Sequence, residues 1–148
     1  RNTMPLTFNA GNVKTISGAC KIIEIILLLV TMMIQRTTGS LFGGEDAHIF
    51  SMGLLVTGLI ITPILLLCYI VDRDITRSSV IEPVLNITLF GLFLIAAVLC
   101  LIYWESHIVV NDSTRRLLGI SLGCFTLFAS IAYLVDGIHV CRLYFQPS

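Results

Sequence analysis

Charge is what this chain has least of. Only 12% of its 148 residues are Asp, Glu, Lys or Arg, whereas 56% are hydrophobic; an ordinary soluble domain carries about 25% charged residues. Nine acids balance nine Lys and Arg to a formal net charge of zero, so nothing strongly basic is on offer and no nucleic-acid partner is expected. Mean hydropathy is +0.95. A soluble fold this short could not hide so much apolar surface, because a small domain leaves a large share of its area exposed. Lipid must be the covering.

Catalytic signatures are also missing. The chain has no HExxH, no GxSxG, no P-loop glycine pattern and no His/Cys cluster at metal-ligand spacing. The segments between its apolar runs are too short for a conventional cleft. Neither catalysis nor a metal or organic cofactor is expected, and bound lipid or sterol are the small molecules such a chain would hold. The five cysteines, Cys20, Cys68, Cys100, Cys124 and Cys141, all lie within or at the ends of apolar runs. No loop disulfide is expected, which argues against tetraspanins, claudins and connexins, whose outer loops are stapled by cysteines.

Four long apolar runs are present, at about 13–35, 49–71, 84–104 and 117–142. At about 1.5 Å rise per residue, each can cross a hydrocarbon core of about 30 Å as a helix. Strands of a membrane barrel would be shorter and would alternate, and lipid tolerates no third backbone solution. The fold class is therefore all-α integral membrane, a four-transmembrane-helix bundle occupying 13–144, preceded by a mobile tail over 1–12. The chain begins at Arg1 with no methionine, as expected if a native N-terminal extension is missing. A cleaved signal peptide is not expected.

The connections carry turn and capping chemistry. Gly39, Gly43 and Gly44 lead to Glu45 and Asp46, acids suited to the start of the second helix. Ser79 and Glu82 have capping-box spacing and precede Pro83, which a first helical turn tolerates. Asn111, Asp112 or Ser113 can cap the fourth helix. Asn111-Asp112-Ser113 is also an N-glycosylation sequon, so Asn111 is a candidate glycan site. Its closeness to the membrane argues against the transferase reaching it. Asn86-Ile87-Thr88 matches the same pattern but lies inside the third helix.

The positive-inside count slightly favours both termini in the cytoplasm, with Arg1, Lys14, Arg73, Arg77 and Arg142 inside against Arg36, Arg115 and Arg116 outside. The Asn111 sequon then lies outside, in agreement. Tyr103 and Trp104 fall where an outer aromatic belt belongs, and Tyr144 and Phe145 where an inner one does. Cys20 and Cys141 sit at the cytoplasmic boundary, where palmitoylation is chemically open to them. Small apolar packing roles are the favoured reading of both.

Ionisable residues inside the runs are the candidate site. Lys21 and Glu24 share a face of the first helix, and Asp136 lies in the last part of the fourth. With both termini on one side the three reach similar depth. Each costs about 2.5–3.5 kcal/mol at mid-membrane, so pairing inside the bundle is expected ahead of a proton or ion pathway. His139, one turn on, reads as interfacial. Gly119 and Gly123 form a GxxxG pair that Thr126 and Ser130 extend along one face of the fourth helix. That stripe suits contact within the bundle ahead of contact with a partner. Pro63 removes the hydrogen bond to the Leu59 carbonyl and is expected to kink the second helix, with Thr62 satisfying the freed backbone.

Two segments carry a family resemblance. Gly18-Ala19-Cys20-Lys21-Ile22-Ile23-Glu24-Ile25-Ile26-Leu27-Leu28-Leu29-Val30 resembles the opening helix of MARVEL-domain proteins, the family of the myelin-and-lymphocyte protein, plasmolipin and the chemokine-like-factor relatives. Phe128-Ala129-Ser130-Ile131-Ala132-Tyr133-Leu134-Val135-Asp136-Gly137 resembles its closing helix. The middle helices match only in hydrophobicity. The resemblance implies a non-enzymatic organiser of plasma or vesicle membranes, acting in trafficking, apposition or fusion, or at junctions. Its partners would be lipids, other membrane proteins or further copies of itself, and Glu24 and Asp136 would stabilise the bundle. An auxiliary subunit of a channel, receptor or transporter, docking through the small-residue face of the fourth helix, is the second reading. A small ion or proton carrier is the third.

Overall fold

The computed structural model describes residues 16–38, 42–71, 80–106 and 113–145. It is all-α, with α1 at Ile16–Thr38, α2 at Glu45–Val71, α3 at Ile81–Ser106 and α4 at Ser113–Phe145. All four are long and apolar enough to cross a membrane, which makes this a multi-pass membrane protein. The expected tail over 1–12 and the residues of the Asn111 sequon before Ser113 lie outside the described residues.

Helix ends fall where local chemistry puts them, a few residues away from the apolar runs. α2 begins at Glu45 and α4 at Ser113, both four residues before the runs they contain. Polar first turns extend the helix beyond the membrane span because acids and hydroxyls favour the unpaired N–H groups there. α1 starts at Ile16 and ends at Thr38. Ahead of α2, Gly43 adopts φ 152°, a conformation that side chains rarely reach, and a Cβ there would meet Ala47 Cβ at 3.0 Å. The turn closes with His48 N–H donating to Gly44 O at 2.9 Å. Pro83 occupies the first turn of α3, where its missing N–H has no intrahelical acceptor to lose. α2 runs through Pro63 as one continuous helix.

Contacts across the α3–α4 seam show antiparallel packing, since partners that rise along one helix fall along the other. Between α3 and α4, Trp104 lies over Gly119, Leu101 over Gly123 and Asn86 beside Gly137. Midway along the same seam, the Ser130 hydroxyl donates to Phe90 O at 3.1 Å. α4 also packs on α1, α1 on α2 and α2 on α3, so the helices form a ring in the order α1–α2–α3–α4. At the centre Gly58 of α2 admits Leu28 of α1 and Phe93 of α3, whose atoms stand 3.0 and 3.1 Å from where a Cβ would be. Phe93 in turn stacks on Tyr133 at 5.5 Å and 6°. Phe42, fully buried, lies at the end opposite Lys21 and Asp136.

Candidate functional site

Lys21 is completely buried, and the bundle geometry explains how. It lies five residues into α1, which places it about one and a half turns from that helix's start. Antiparallel neighbours bring the first turns of α3 and the last turns of α4 to the same level. The Lys21 stem is long enough to cross the bundle diagonal, so its ammonium sits among groups from all three helices.

Asp136 of α4 is the best-satisfied member of this cluster. Its Oδ1 accepts from the Ser17 hydroxyl at 2.6 Å, and its Oδ2 accepts from Lys21 Nζ at 2.5 Å and from Asn86 Nδ2 at 2.7 Å. Asn86 of α3 works at both ends, because its Oδ1 also accepts from Lys21 Nζ at 2.8 Å. That double engagement fixes the amide orientation. Ser17, Asn86 and Asp136 are as buried as the lysine.

Two further carboxyl groups complete the cluster on different terms. Glu24 lies 3.7 Å from Lys21 Nζ and Glu82 lies 3.6 Å away, ion-pair distances that are too long for hydrogen bonds. Both side chains are at most 2% exposed, and all four of their carboxyl oxygens lack a hydrogen-bond partner. Three carboxyls thus surround one ammonium. The described residues hold no group of His, Cys, Asp or Glu able to ligate a metal ion.

Of the residues named from sequence, Lys21, Glu24 and Asp136 are brought together here. Glu82 and Asn86 are additions. Ser79, the other half of the capping-box spacing with Glu82, lies outside the described residues; the Glu82 carboxyl faces the Lys21 ammonium. In the sequence Asn86 stands out only as part of a sequon match inside a helix. The signal that could have found both is their spacing: four residues apart, on one face of an otherwise apolar helix.

The small-residue stripe faces α3. A Cβ on Gly119 would overlap the Trp104 indole, and one on Gly123 would come within 2.7 Å of the Leu101 side chain. The Thr126 hydroxyl donates to Leu122 O within α4 at 2.8 Å. Two expectations need correction. Trp104, assigned to an aromatic belt at the lipid surface, is only 7% exposed because the gap above Gly119 receives its ring. Thr62, expected to relieve the backbone at Pro63, makes its side-chain contact with Tyr133, the two hydroxyl oxygens lying 2.5 Å apart across the second diagonal of the bundle.

Cys20 and Cys141 are free and half-buried, as is His139. Cys141 lines an open groove between α3 and α4 of about 410 Å³, together with Ile87, Phe90, Leu134, Ile138 and Arg142. Comparison of the chain with protein-family models, with curated proteins and with solved structures returns no match.

Proposed function

We propose that this chain is a non-enzymatic membrane-organising protein of MARVEL type, with both termini in the cytoplasm, acting in plasma or vesicle membranes through lateral contacts with lipids and other membrane proteins. The observation that carries the reading is the division of chemistry between inside and outside. Lys21, Glu24, Glu82, Asn86 and Asp136 turn inward onto one another, whereas every helix presents large apolar side chains outward, including Met33, Leu67, Ile102 and Phe128. Such a surface interacts with acyl chains and with the flanks of other helices. Support also comes from the two acids that the family resemblance singles out, Glu24 and Asp136, which lie in one cluster beside Lys21.

The groove between α3 and α4 fits this role. Its lining is apolar with Arg142 at the rim, a shape and chemistry suited to an acyl chain or sterol whose polar end meets the guanidinium. The auxiliary-subunit reading is weakened, because the face it would use for docking is filled by Trp104 and Leu101 of the same chain.

Gentle purification from native membranes, followed by mass spectrometry of whatever stays bound, tests the proposal. Retained lipid and further copies of the chain are expected. A single partner in fixed stoichiometry, with a large membrane domain of its own, would overturn it in favour of an auxiliary subunit.

A further inference from the structure

The donors in the buried cluster are too few for its acceptors. Lys21 has three N–H bonds to give; two are taken, by Asn86 Oδ1 and Asp136 Oδ2. The Ser17 hydroxyl and the Asn86 amide both donate to Asp136 as well. Lys21 and Asp136 therefore cancel in charge and almost exhaust the donors between them. One N–H remains for Glu24 and Glu82 together, and neither is within hydrogen-bond distance of it.

Among the described residues the surroundings offer no further compensation. α1 contributes Ser17, Cys20, Lys21 and Glu24 to this end, α3 contributes Glu82 and Asn86, and α4 contributes Asp136, with His139 a turn beyond and Arg142 exposed at the surface. Among the described residues α2 places no charged group here; Glu45, Asp46 and His48 stand at its opposite end. If all three acids were ionised the described residues of the cluster would hold two uncompensated negative charges in a buried site, which proteins avoid by neutralising the group.

We propose that Glu24 and Glu82 each bind a proton in the assembled bundle, so that the cluster is a two-proton site whose filling lets α1 close against α3 and α4. Each step is the addition of H⁺ to a carboxylate to give a neutral carboxyl, with no other bond made or broken. Glu82 lies in the first turn of α3, so the aqueous edge is a short distance away for exchange. The folded bundle then holds protons that the unfolded chain releases at neutral pH. Stability must fall as pH rises.

Infrared spectroscopy of the full chain in lipid bilayers, in ordinary and heavy water, reads the carbonyl stretch of a protonated carboxyl directly. The native chain is expected to show two such bands, with Glu24→Gln removing one and Glu82→Gln the other. Glutamine mimics the neutral acid, so the double variant should melt near the native temperature at neutral pH and lose the native chain's fall in melting temperature at higher pH. Absence of both bands in the native chain overturns the proposal whatever the variants do. So does a melting temperature that rises with added sodium or potassium and loses that response in the double variant, since a metal ion would then be supplying the missing charge.

Discussion

Asp136 depends on Lys21 for its countercharge, whereas Lys21 has Glu24 and Glu82 as further carboxyl neighbours at 3.7 and 3.6 Å. Removing one member of a buried ion pair typically costs about 3–5 kcal/mol, since the other is left charged and unpaired. Asp136→Asn should destabilise the bundle by less than that amount, because Glu24 or Glu82 can release its proton and pair with Lys21, read as a modestly lowered melting temperature in bilayers or mild detergent. Lys21→Met should cost the full amount, because it removes the only cation that the described residues place in the cluster. Combining Lys21→Met with Asp136→Leu should cost less than the two single changes together, a coupling that a double-mutant cycle measures. Strict additivity would mean that the pair contributes nothing as a pair. At this scale part of the site was legible in the sequence. A lysine or an acid in a hydrophobic run is visible because lipid penalises each one separately, and that is how Lys21, Glu24 and Asp136 came to be named. Glu82 escaped because an acid in a first helical turn is ordinary, and Asn86 escaped because an uncharged amide leaves a hydropathy profile almost unchanged.

Between elements, α4 meets α3 through glycines whose missing side chains are occupied by the neighbour. Gly119→Leu should drive the side chain into the Trp104 indole and destabilise the α3–α4 seam by about 1–3 kcal/mol, the usual cost of overpacking. Gly53→Ala is the control. Nothing lies within 4 Å of the position a Cβ would take there, and replacing a mid-helix glycine by alanine should stabilise α2 by about 0.5–1 kcal/mol. Thermal melts of the two variants should move in opposite directions; a Gly119→Leu chain that melts with the native one would mean that the seam is looser than its geometry. The GxxxG spacing was legible, but what fills it was not. Trp104 has the composition of a belt residue, and only the rotation of α3 about its own axis turns the ring inward.

On the scale of the whole molecule, four spans return the chain to the side on which it began. Epitope tags on the two ends should therefore behave alike in sealed vesicles, and the proposed topology puts both on the cytoplasmic side, accessible in inside-out vesicles and protected in right-side-out ones. Tags that differ in protection would mean that one of the four helices does not span. The number of spans, their approximate limits and the inward bias of Lys21, Glu24 and Asp136 follow from the sequence by itself. Lipid makes solvation a property of each residue in its own helix, so no neighbour need be known. The tertiary structure alone decided the ring order, the entry of Glu82 and Asn86 into the cluster, the Thr62–Tyr133 contact and the fate of Trp104. These depend on the rotation and register of one helix against another, and a helix as evenly apolar as α2 carries no polar stripe from which that rotation could be read.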